Sequence, residues 1–131
     1  MIKNILVMDD SPVVRSLVKR SLKMAGIVPE RILEASNGHE GLGLLMTEPV
    51  DLMLMDLNMP EMTGYELIAR IDPSPRLCGI PLVVISTERS EARLREILTR
   101  PSRRYLAKPF TPEGLKRAIG ELFERVEEKV A

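Results

Sequence analysis

The sequence predicts an α/β fold in which a doubly wound, five-stranded parallel sheet is flanked by five helices. Short apolar runs recur along the chain, and between them the apolar residues take the spacing of one helical face. Two of the runs, residues 52–55 and 82–85, are apolar without alternation. That pattern is typical of parallel strands that helices cover on both faces.

The predicted strands are the apolar runs themselves. They lie at residues 5–8, 32–33, 52–55, 82–85 and 105–107. Because strands and helices alternate strictly in short units, we expect right-handed crossover connections between neighbouring strands. This arrangement predicts the flavodoxin-like strand order, in which sites lie at the carboxyl ends of the strands.

The first two helices differ in the strength of their signals. The first is predicted to begin at Pro12, with Ser11 as its N-cap. Its apolar face comprises Val14, Leu17, Val18, Leu22 and Ala25. The second is predicted near residues 38–46, although Gly41 and Gly43 each cost it about 1 kcal/mol relative to alanine.

The remaining three helices are delimited by caps and prolines. The third is predicted over residues 64–71 with Thr63 as its cap, and the fourth over residues 90–98, where a following proline stops it. The fifth starts after the Thr111-Pro112 pair and extends almost to the end of the chain. Its apolar face comprises Leu115, Ile119, Leu122, Val126 and Val130.

Composition favours one domain in a reducing compartment. The 131 residues suit a single core, so we expect one domain over residues 1–131. Lysine plus arginine number 19, as do aspartate plus glutamate, so the chain has no net positive charge that would favour binding of a nucleic acid. Cys78 is the only cysteine, which excludes an intrachain disulfide and favours the cytoplasm. No apolar stretch is long enough to cross a bilayer, so no membrane partner is expected.

Chemically active side chains follow four of the predicted strands. Asp9 and Asp10 come after the first strand, Asp56 closes the third, Ser86 follows the fourth and Lys108 follows the fifth. The carboxyl ends of parallel strands lie along one edge of a sheet, so we expect these side chains to converge there.

A cluster of acids at this edge needs a cation, because neighbouring carboxylates repel one another and raise one another's pKa values. Mg²⁺ suits the cluster, since this ion prefers oxygen ligands and is usually held by one or two carboxylates together with phosphate oxygens. Lys108 supplies a positive charge for an anion, and Ser86 supplies a hydroxyl donor. The sequence therefore predicts a metal, a phosphate group and a nucleophile in one site.

Each of these residues also has an ordinary structural explanation. Asp9 and Asp10 precede a helix, where aspartate is a common cap. Asp56 stands where a turn could begin, and Lys108 precedes a proline that favours extended or turn geometry. Independent caps and turns do not explain why acids, a hydroxyl and a lysine follow different strands at the same edge.

At these positions the sequence resembles the CheY-like receiver domains of two-component response regulators. The matching residues are Asp9-Asp10-Ser11 with Arg15, Asp51-Leu52, Asp56-Leu57-Asn58-Met59-Pro60 with Gly64, Ile80-Pro81 before Ser86-Thr87-Glu88, and Tyr105 with Lys108-Pro109-Phe110. They span nearly the whole chain, so the resemblance implies a single receiver domain over residues 1–131.

The resemblance implies that Asp56 is the residue that becomes phosphorylated. It would attack a phosphohistidine of a sensor histidine kinase or of a histidine phosphotransfer domain, giving an aspartyl phosphate. Mg²⁺ would be the cofactor, with Asp10, Asp56 and the main-chain carbonyl of Asn58 as its ligands. Asp9 would assist directly or through water. Lys108 would offset charge on the transferring oxygens, and the bond after it is typically cis in such domains.

The resemblance also implies a conformational switch. Ser86 would move toward the phosphoryl group, and Tyr105 would turn inward with it. Asn58 and Glu88, two residues beyond Asp56 and Ser86 respectively, would tune a slow self-dephosphorylation. The surface built from the fourth helix, the fifth strand and the fifth helix would signal to a downstream effector protein, so the chain is expected to be a switch and not an enzyme.

Three local features bear on this expected switch. Arginines crowd residues 89–104 around Tyr105 and favour an acidic effector. Thr87 stands where receivers commonly have a small residue beside the phosphoryl entrance, which predicts altered access. The Arg-Pro-Ser-Arg sequence at residues 100–103 replaces a usual glycine-alanine turn, which predicts an altered path for the loop before the fifth strand.

Three other functions fit parts of the pattern. A phosphatase of the haloacid-dehalogenase type also uses an aspartate nucleophile, Mg²⁺ and a lysine, but its two aspartates form an Asp-x-Asp motif, whereas Asp56 is followed by Leu57-Asn58. A nucleotide or flavin binder needs a glycine-rich or hydroxyl-rich loop after the first strand, where this chain is acidic. A purely structural relative of the receivers would have little reason to retain the acids and the lysine.

Overall fold

The computed structural model describes the backbone of residues 2–130 and the side chains of residues 2–123. The elements along the chain are β1 (Asn4–Met8), α1 (Pro12–Met24), β2 (Arg31–Ala35), α2 (Gly38–Thr47), β3 (Leu52–Met55), α3 (Gly64–Ile71), β4 (Leu82–Ser86), α4 (Glu91–Ile97), β5 (Arg103–Ala107) and α5 (Pro112–Val130). All strands are parallel in one sheet with the order β2-β1-β3-β4-β5. The predicted doubly wound, flavodoxin-like fold is confirmed.

The strand register brings the carboxyl ends of the strands to one edge of the sheet. Met8 pairs with Met55 of the neighbouring strand, and Ser86 pairs with Ala107. Residues that follow β1 and β3 therefore emerge side by side, and those that follow β4 and β5 emerge next to them.

Helices cover both faces of the sheet. Helices α1 and α5 pack on one face, where their buried side chains meet those of Ile5, Val7, Leu52, Leu54, Val83 and Ile85. Helices α2, α3 and α4 pack on the other, against Leu6, Met8, Met53, Met55, Leu82 and Val84. Every residue of β3 and β4 is buried, which confirms the interpretation of their uninterrupted apolar runs. No helix among residues 2–130 is both long and apolar enough to span a membrane.

Most predicted helices begin and end within a residue or two of the observed limits. Helix α3 spans residues 64–71 as predicted, and Thr63 and Glu66 cap it reciprocally. The two edge strands are longer than their apolar runs, because β2 begins at Arg31 and β5 begins at Arg103. Arg31 is exposed at the edge of the sheet, whereas Arg103 is buried and paired with Asp72. Both strands therefore begin with polar residues that a search for apolar runs does not detect.

The predicted apolar face of α1 is partly wrong. Val18 and Leu22 are buried as expected, but Leu17 is 48% exposed and does not belong to the core. Leu17 instead lines a surface groove together with Lys108 and Phe110. In α5, Val126 and Val130 lie outside the residues whose side chains the structure describes.

Two of the three glycines of α2 have a packing reason that the sequence did not reveal, whereas a β-carbon on Gly43 would meet nothing within 4 Å. A β-carbon on Gly38 would come within 2.6 Å of the main-chain oxygen of Met62, and one on Gly41 would collide with the Met8 side chain. Gly38 also donates its N–H to that oxygen at 2.9 Å. Glycine lowers the helix propensity of α2, but it allows close contact with the sheet and with the loop before α3.

The loop before β5 is fastened by a buried arginine. Arg103 is 4% exposed, donates to the Ile97 carbonyl oxygen at 3.0 Å, and forms an ion pair with Asp72 at the end of α3. Arg100 lies 3.4 Å from the same Asp72 carboxylate. The arginines that replace the usual small residues thus tie the end of α3 to the end of α4.

We expect Asp72→Ala to lower the free energy of unfolding by about 2 kcal/mol, because it leaves a buried guanidinium without its carboxylate. The expected loss is below that for a fully buried pair, since Asp72 is 36% exposed on its side chain. Urea denaturation monitored by circular dichroism measures the change. Arg100→Ala is the control, and its more exposed pair should contribute about 1 kcal/mol or less. Equal losses in both variants would contradict the structural role of the buried pair.

Candidate functional site

The three predicted acids meet at the carboxyl edge of the sheet. Asp9 and Asp10 follow β1, Asp56 follows the adjacent strand β3, and one carboxylate oxygen from each lies within 4.8 Å of the other two. Asp9 and Asp56 are only 4% and 7% exposed, whereas Asp10 faces solvent. The cluster is therefore open to water on the Asp10 side and closed beneath it.

Lys108 lies directly on this cluster. Its Nζ donates to Asp9 Oδ2 at 2.9 Å and to Asp56 Oδ2 at 3.1 Å. Burial by itself would lower the pKa of the lysine, but the hydrogen bonds and charges of the two aspartates outweigh it and raise that pKa. The ammonium group therefore stays charged and offsets the repulsion between the two buried carboxylates.

Main-chain groups fix the orientation of both buried acids. The N–H of Ser11 donates to Asp9 Oδ1 at 2.9 Å, and the N–H of Asn58 donates to Asp56 Oδ1 at 3.2 Å. The start of α3 packs against the Asp56 backbone so closely that a β-carbon on Gly64 would come within 2.7 Å of the Asp56 carbonyl oxygen. Hence the cluster is held by backbone geometry as well as by the lysine.

Arg15, one of the residues that carried the family resemblance, supports the site from α1. Its Nη1 donates to the main-chain oxygen of Asp9 at 2.6 Å, and its Nε pairs with Glu34 at 2.9 Å. The arginine therefore connects α1 and β2 to the segment that presents Asp9.

Ser86 contributes a buried hydroxyl beside the lysine. The residue is 0% exposed, and its Oγ has no hydrogen-bond partner within the described part of the chain. Its main-chain oxygen accepts the N–H of Lys108 at 2.9 Å. A buried hydroxyl without a partner is costly, which favours a role in binding an oxygen that enters the site.

Tyr105 is connected to the end of β4 through its hydroxyl. The hydroxyl lies 2.9 Å from the main-chain oxygen of Ser86 and 2.6 Å from that of Glu88. Burial, followed by the charge of Glu88, raises the pKa of Tyr105, so the hydroxyl remains a donor. The ring is half-buried and adjoins the core, which links the loop after β4 to the edge strand β5.

The two residues that were predicted to tune dephosphorylation lie differently. Asn58, two residues after Asp56, is exposed. The Glu88 carboxylate is turned toward α3 and α4, where it accepts the hydroxyl hydrogen of Tyr65 and lies 3.5 Å from Arg93 Nε. Sequence reasoning missed Tyr65, because a tyrosine in the first turn of a helix carries no signal of a partner 23 residues away.

A shallow apolar groove of about 350 Å³ adjoins the site at its mouth. Its lining residues are Val14, Leu17, Thr87, Lys108, Pro109 and Phe110. Thr87 is exposed at the rim, and the Lys108–Pro109 bond is cis as the resemblance implied. Leu17 is exposed in this groove, whereas Val14 and Phe110 are half-buried against the core. Exposed apolar area next to a charged cluster is typical of a surface that contacts another protein.

The arginine-rich stretch is less available than the sequence suggested. Arg103 is buried, Arg100 pairs with Asp72, and Arg104 lies 3.2 Å from Glu121. Among the arginines of residues 89–104, only Arg89 and Arg95 form no ion pair with the side chains that the structure describes. Most of the positive charge of this stretch is therefore compensated within the chain.

The donor set fits a hard divalent cation. Three carboxylates supply oxygen ligands within 4.8 Å of one another, and the solvent-facing side of Asp10 leaves room for water ligands. Mg²⁺ prefers such oxygen-only sites in which water completes the coordination. Asp9, Asp10 and Asp56 are thus suited to hold this ion, with Lys108 adjusting the net charge.

Sequence comparison places these features in a known group of proteins. The profile described as the response regulator receiver domain matches residues 5–120. A chemotaxis protein CheY homolog of Campylobacter jejuni is 34% identical over 119 residues, covering 90% of each chain. The two-component response regulator ORR5 of rice (Oryza sativa) is 35% identical over 115 residues, covering 87% of this chain and 84% of the relative.

Solved structures show the same architecture. The chemotaxis response regulator CheY4 of Vibrio cholerae superposes with a TM-score of 0.79 at 28% identity, covering 93% of this chain and 99% of that one. A CheY-like receiver domain protein from Methanospirillum hungatei gives a TM-score of 0.82 at 25% identity, covering 98% and 99%. The similar proteins include chemotaxis and plant regulators, so the property common to them is the receiver domain.

Proposed function

Because this chain belongs to the response regulator receiver family, we propose that it accepts a phosphoryl group on Asp56 from a histidine kinase in a Mg²⁺-dependent reaction. One observation carries the proposal: the Asp56 carboxylate is almost buried, yet it shares Lys108 with Asp9 and lies in a three-acid cluster that opens to solvent. Residues 1–131 act as one receiver domain in this proposal.

The transfer is a displacement at phosphorus. An oxygen of Asp56 attacks the phosphoryl group of a phosphohistidine, the new P–O bond forms, and the P–N bond breaks. The electron pair returns to the imidazole, which takes up a proton. Since phosphoryl transfer needs mainly positioning and charge stabilisation, the hydrogen bond from the Asn58 N–H to Asp56 Oδ1 contributes by fixing the nucleophile.

The charged and polar groups around Asp56 stabilise the charge that develops on the phosphoryl oxygens. Asp10, Asp56 and the main-chain carbonyl of Asn58 would hold the Mg²⁺ ion, with Asp9 assisting. When bound, the ion supplies Lewis-acid stabilisation of charge on the phosphoryl oxygens. Lys108 places its ammonium beside Asp56 and donates to one phosphoryl oxygen, and the unpartnered hydroxyl of Ser86 donates to another.

The apolar groove at the mouth of the site is the proposed contact for the phosphodonor. A sensor kinase or a histidine phosphotransfer domain must bring a histidine beside Asp56, and Leu17 and Phe110 offer apolar area within the same surface. Thr87 at the rim narrows the entrance compared with the small residue that the family commonly has.

The switch proposal rests on the hydroxyl of Tyr105. Movement of Ser86 toward a phosphoryl group displaces the main-chain oxygens that this hydroxyl contacts, so Tyr105 has to rearrange with them. The rearrangement alters the face formed by α4, β5 and α5, which signals to an effector protein. Arg89 and Arg95 are the cations on α4 and before it that are available to attract an acidic effector.

Slow self-dephosphorylation completes the cycle and returns the domain to its starting state. Asn58, whose N–H donates to Asp56 Oδ1, borders the path by which water approaches Asp56, and Glu88 tunes the rate of hydrolysis. The chain is a signalling switch in this account, acting in the reducing cytoplasm that its single cysteine favours.

The proposal predicts stoichiometric phosphorylation of the parent by acetyl phosphate and Mg²⁺, measured as intact mass. Asp56→Asn should show no phosphorylated species, because an amide oxygen is a poor nucleophile and forms no stable acyl phosphate. Glu30→Gln, an exposed change at the far end of the sheet, is the control and should behave as the parent. A phosphorylated Asp56→Asn protein would contradict the assignment.

A further inference from the structure

Both oxygens of the Glu88 carboxylate are engaged away from the acid cluster. Tyr65 donates its hydroxyl hydrogen to Oε1, and Arg93 Nε lies 3.5 Å from the same oxygen. The other oxygen, Oε2, accepts the main-chain N–H groups of Arg89 at 3.1 Å and Ser90 at 3.3 Å. The carboxylate is therefore held by α3, α4 and its own loop together.

Tyr65 is well placed to hold this carboxylate. It is the second residue of α3, directly after Gly64, whose contact with the Asp56 backbone fixes the start of the helix. The Arg93 guanidinium lies 4.3 Å from the ring centroid and covers it. Burial, followed by the hydrogen bond to Glu88, raises the pKa of Tyr65 to about 12, so its hydroxyl remains a donor at neutral pH.

Glu88 is nevertheless close to the proposed phosphorylation site along the chain. It lies two residues after Ser86, and its main-chain oxygen shares the Tyr105 hydroxyl with that of Ser86. Without the Tyr65 hydroxyl, Glu88 Oε1 would keep only the longer contact with Arg93 Nε, so the side chain of Glu88 would rotate more easily. The carboxylate could then turn toward the open side of the cluster, where water reaches Asp56.

We propose that Tyr65 is a positioning residue that lengthens the lifetime of the aspartyl phosphate by holding the Glu88 carboxylate away from the attacking water. The inference rests on the proposed function of Asp56 and assigns Tyr65 a role in the rate at which the aspartyl phosphate is hydrolysed. It also makes the influence of Glu88 on hydrolysis conditional on Tyr65.

The chemistry of the reverse step explains the expected direction. In hydrolysis, a water oxygen attacks phosphorus, the bond between phosphorus and the Asp56 oxygen breaks, and the Asp56 carboxylate leaves with the electron pair. The attacking water must also lose a proton, which a nearby carboxylate can accept and later release to solvent. A freed Glu88 would serve as that base, whereas the Tyr65-bound carboxylate is directed toward α3 and away from the attacking water.

The test compares decay of the phosphorylated protein after rapid removal of acetyl phosphate, followed by intact mass. Tyr65→Phe, which keeps the ring and removes only the hydroxyl, should shorten the lifetime about tenfold, a modest fraction of what a positioned base can supply. Glu88→Gln alone should change the lifetime less than about twofold, because the carboxylate is already held away from the water. The double variant should return to the lifetime of Glu88→Gln.

The rescue separates positioning from a general structural effect. Equal lifetimes of the parent and Tyr65→Phe, or an acceleration that persists in the double variant, would overturn the role of Tyr65. Arg93→Met, which keeps an apolar stem over the ring, is a second variant and should shorten the lifetime less than Tyr65→Phe. A parent that is not phosphorylated on Asp56 would overturn the proposed function, whereas a phosphorylated parent with the same lifetime as Tyr65→Phe would overturn only the role of Tyr65.

Discussion

Asp10→Ala is expected to slow phosphorylation by acetyl phosphate about 100-fold or more, equivalent to about 3 kcal/mol in the barrier. Asp10 is the exposed member of the acid cluster, so its carboxylate is accessible to a cation from solvent. Asp9 and Asp56, by contrast, also bind Lys108 and main-chain groups. The variant should therefore fold normally while losing Mg²⁺ affinity.

Two measurements make this prediction decisive. Titration with Mg²⁺, followed by NMR, should show millimolar-to-submillimolar binding in the parent, as is typical of water-rich sites with few protein ligands, and much weaker binding in the variant. Glu30→Ala removes one exposed negative charge at the opposite edge of the sheet and should leave both affinity and rate unchanged. If Asp10→Ala were phosphorylated as fast as the parent, the proposed role of Mg²⁺ bound by Asp10 would be contradicted.

Lys108→Ala is expected to leave the fold intact but to uncouple phosphorylation from Tyr105. In the parent, the side chain of Lys108 reaches Asp56 while its main-chain N–H donates to the Ser86 oxygen that Tyr105 also contacts. A phosphoryl group can shift a conformational equilibrium only through interactions that differ between the two states. Loss of the ammonium removes the charged contact that joins the phosphoryl group to this end of β5.

The comparison is made by NMR at equal phosphorylation, with the extent of modification measured by intact mass. Phosphorylation should change the chemical shifts around Tyr105 in the parent and leave them nearly unchanged in Lys108→Ala. Lys116→Ala, which removes an exposed lysine from α5, should respond as the parent. Identical responses in parent and Lys108→Ala would show that another group transmits the signal.

The sequence was sufficient to predict the layout of the fold because that layout follows from local patterns. Continuous apolar runs marked the two fully buried strands, and caps such as Thr63 marked helix starts. The edge strands were underestimated, since polar residues such as Arg31 and Arg103 continue them. Leu17 was misplaced because helical spacing alone does not distinguish a core residue from one that lines a surface groove.

The acid cluster was predictable for a different reason. Once the strands were parallel, chain topology alone brought Asp9, Asp56 and Lys108 to one edge, whatever the details of packing. The contacts of Tyr65 with Glu88 and of Asp72 with Arg103 depend on side chains from separate elements. Such pairs follow from the relative placement of helices, which periodicity does not specify.

The central claim is tested most directly by locating the phosphoryl group in the chain. The protein is treated with acetyl phosphate and Mg²⁺, reduced with borohydride, digested and sequenced by mass spectrometry. Reduction converts an aspartyl phosphate into homoserine, so the account predicts homoserine at position 56 alone, and none when Mg²⁺ is withheld. Homoserine at Asp9 or Asp10 with an unmodified Asp56 would contradict it.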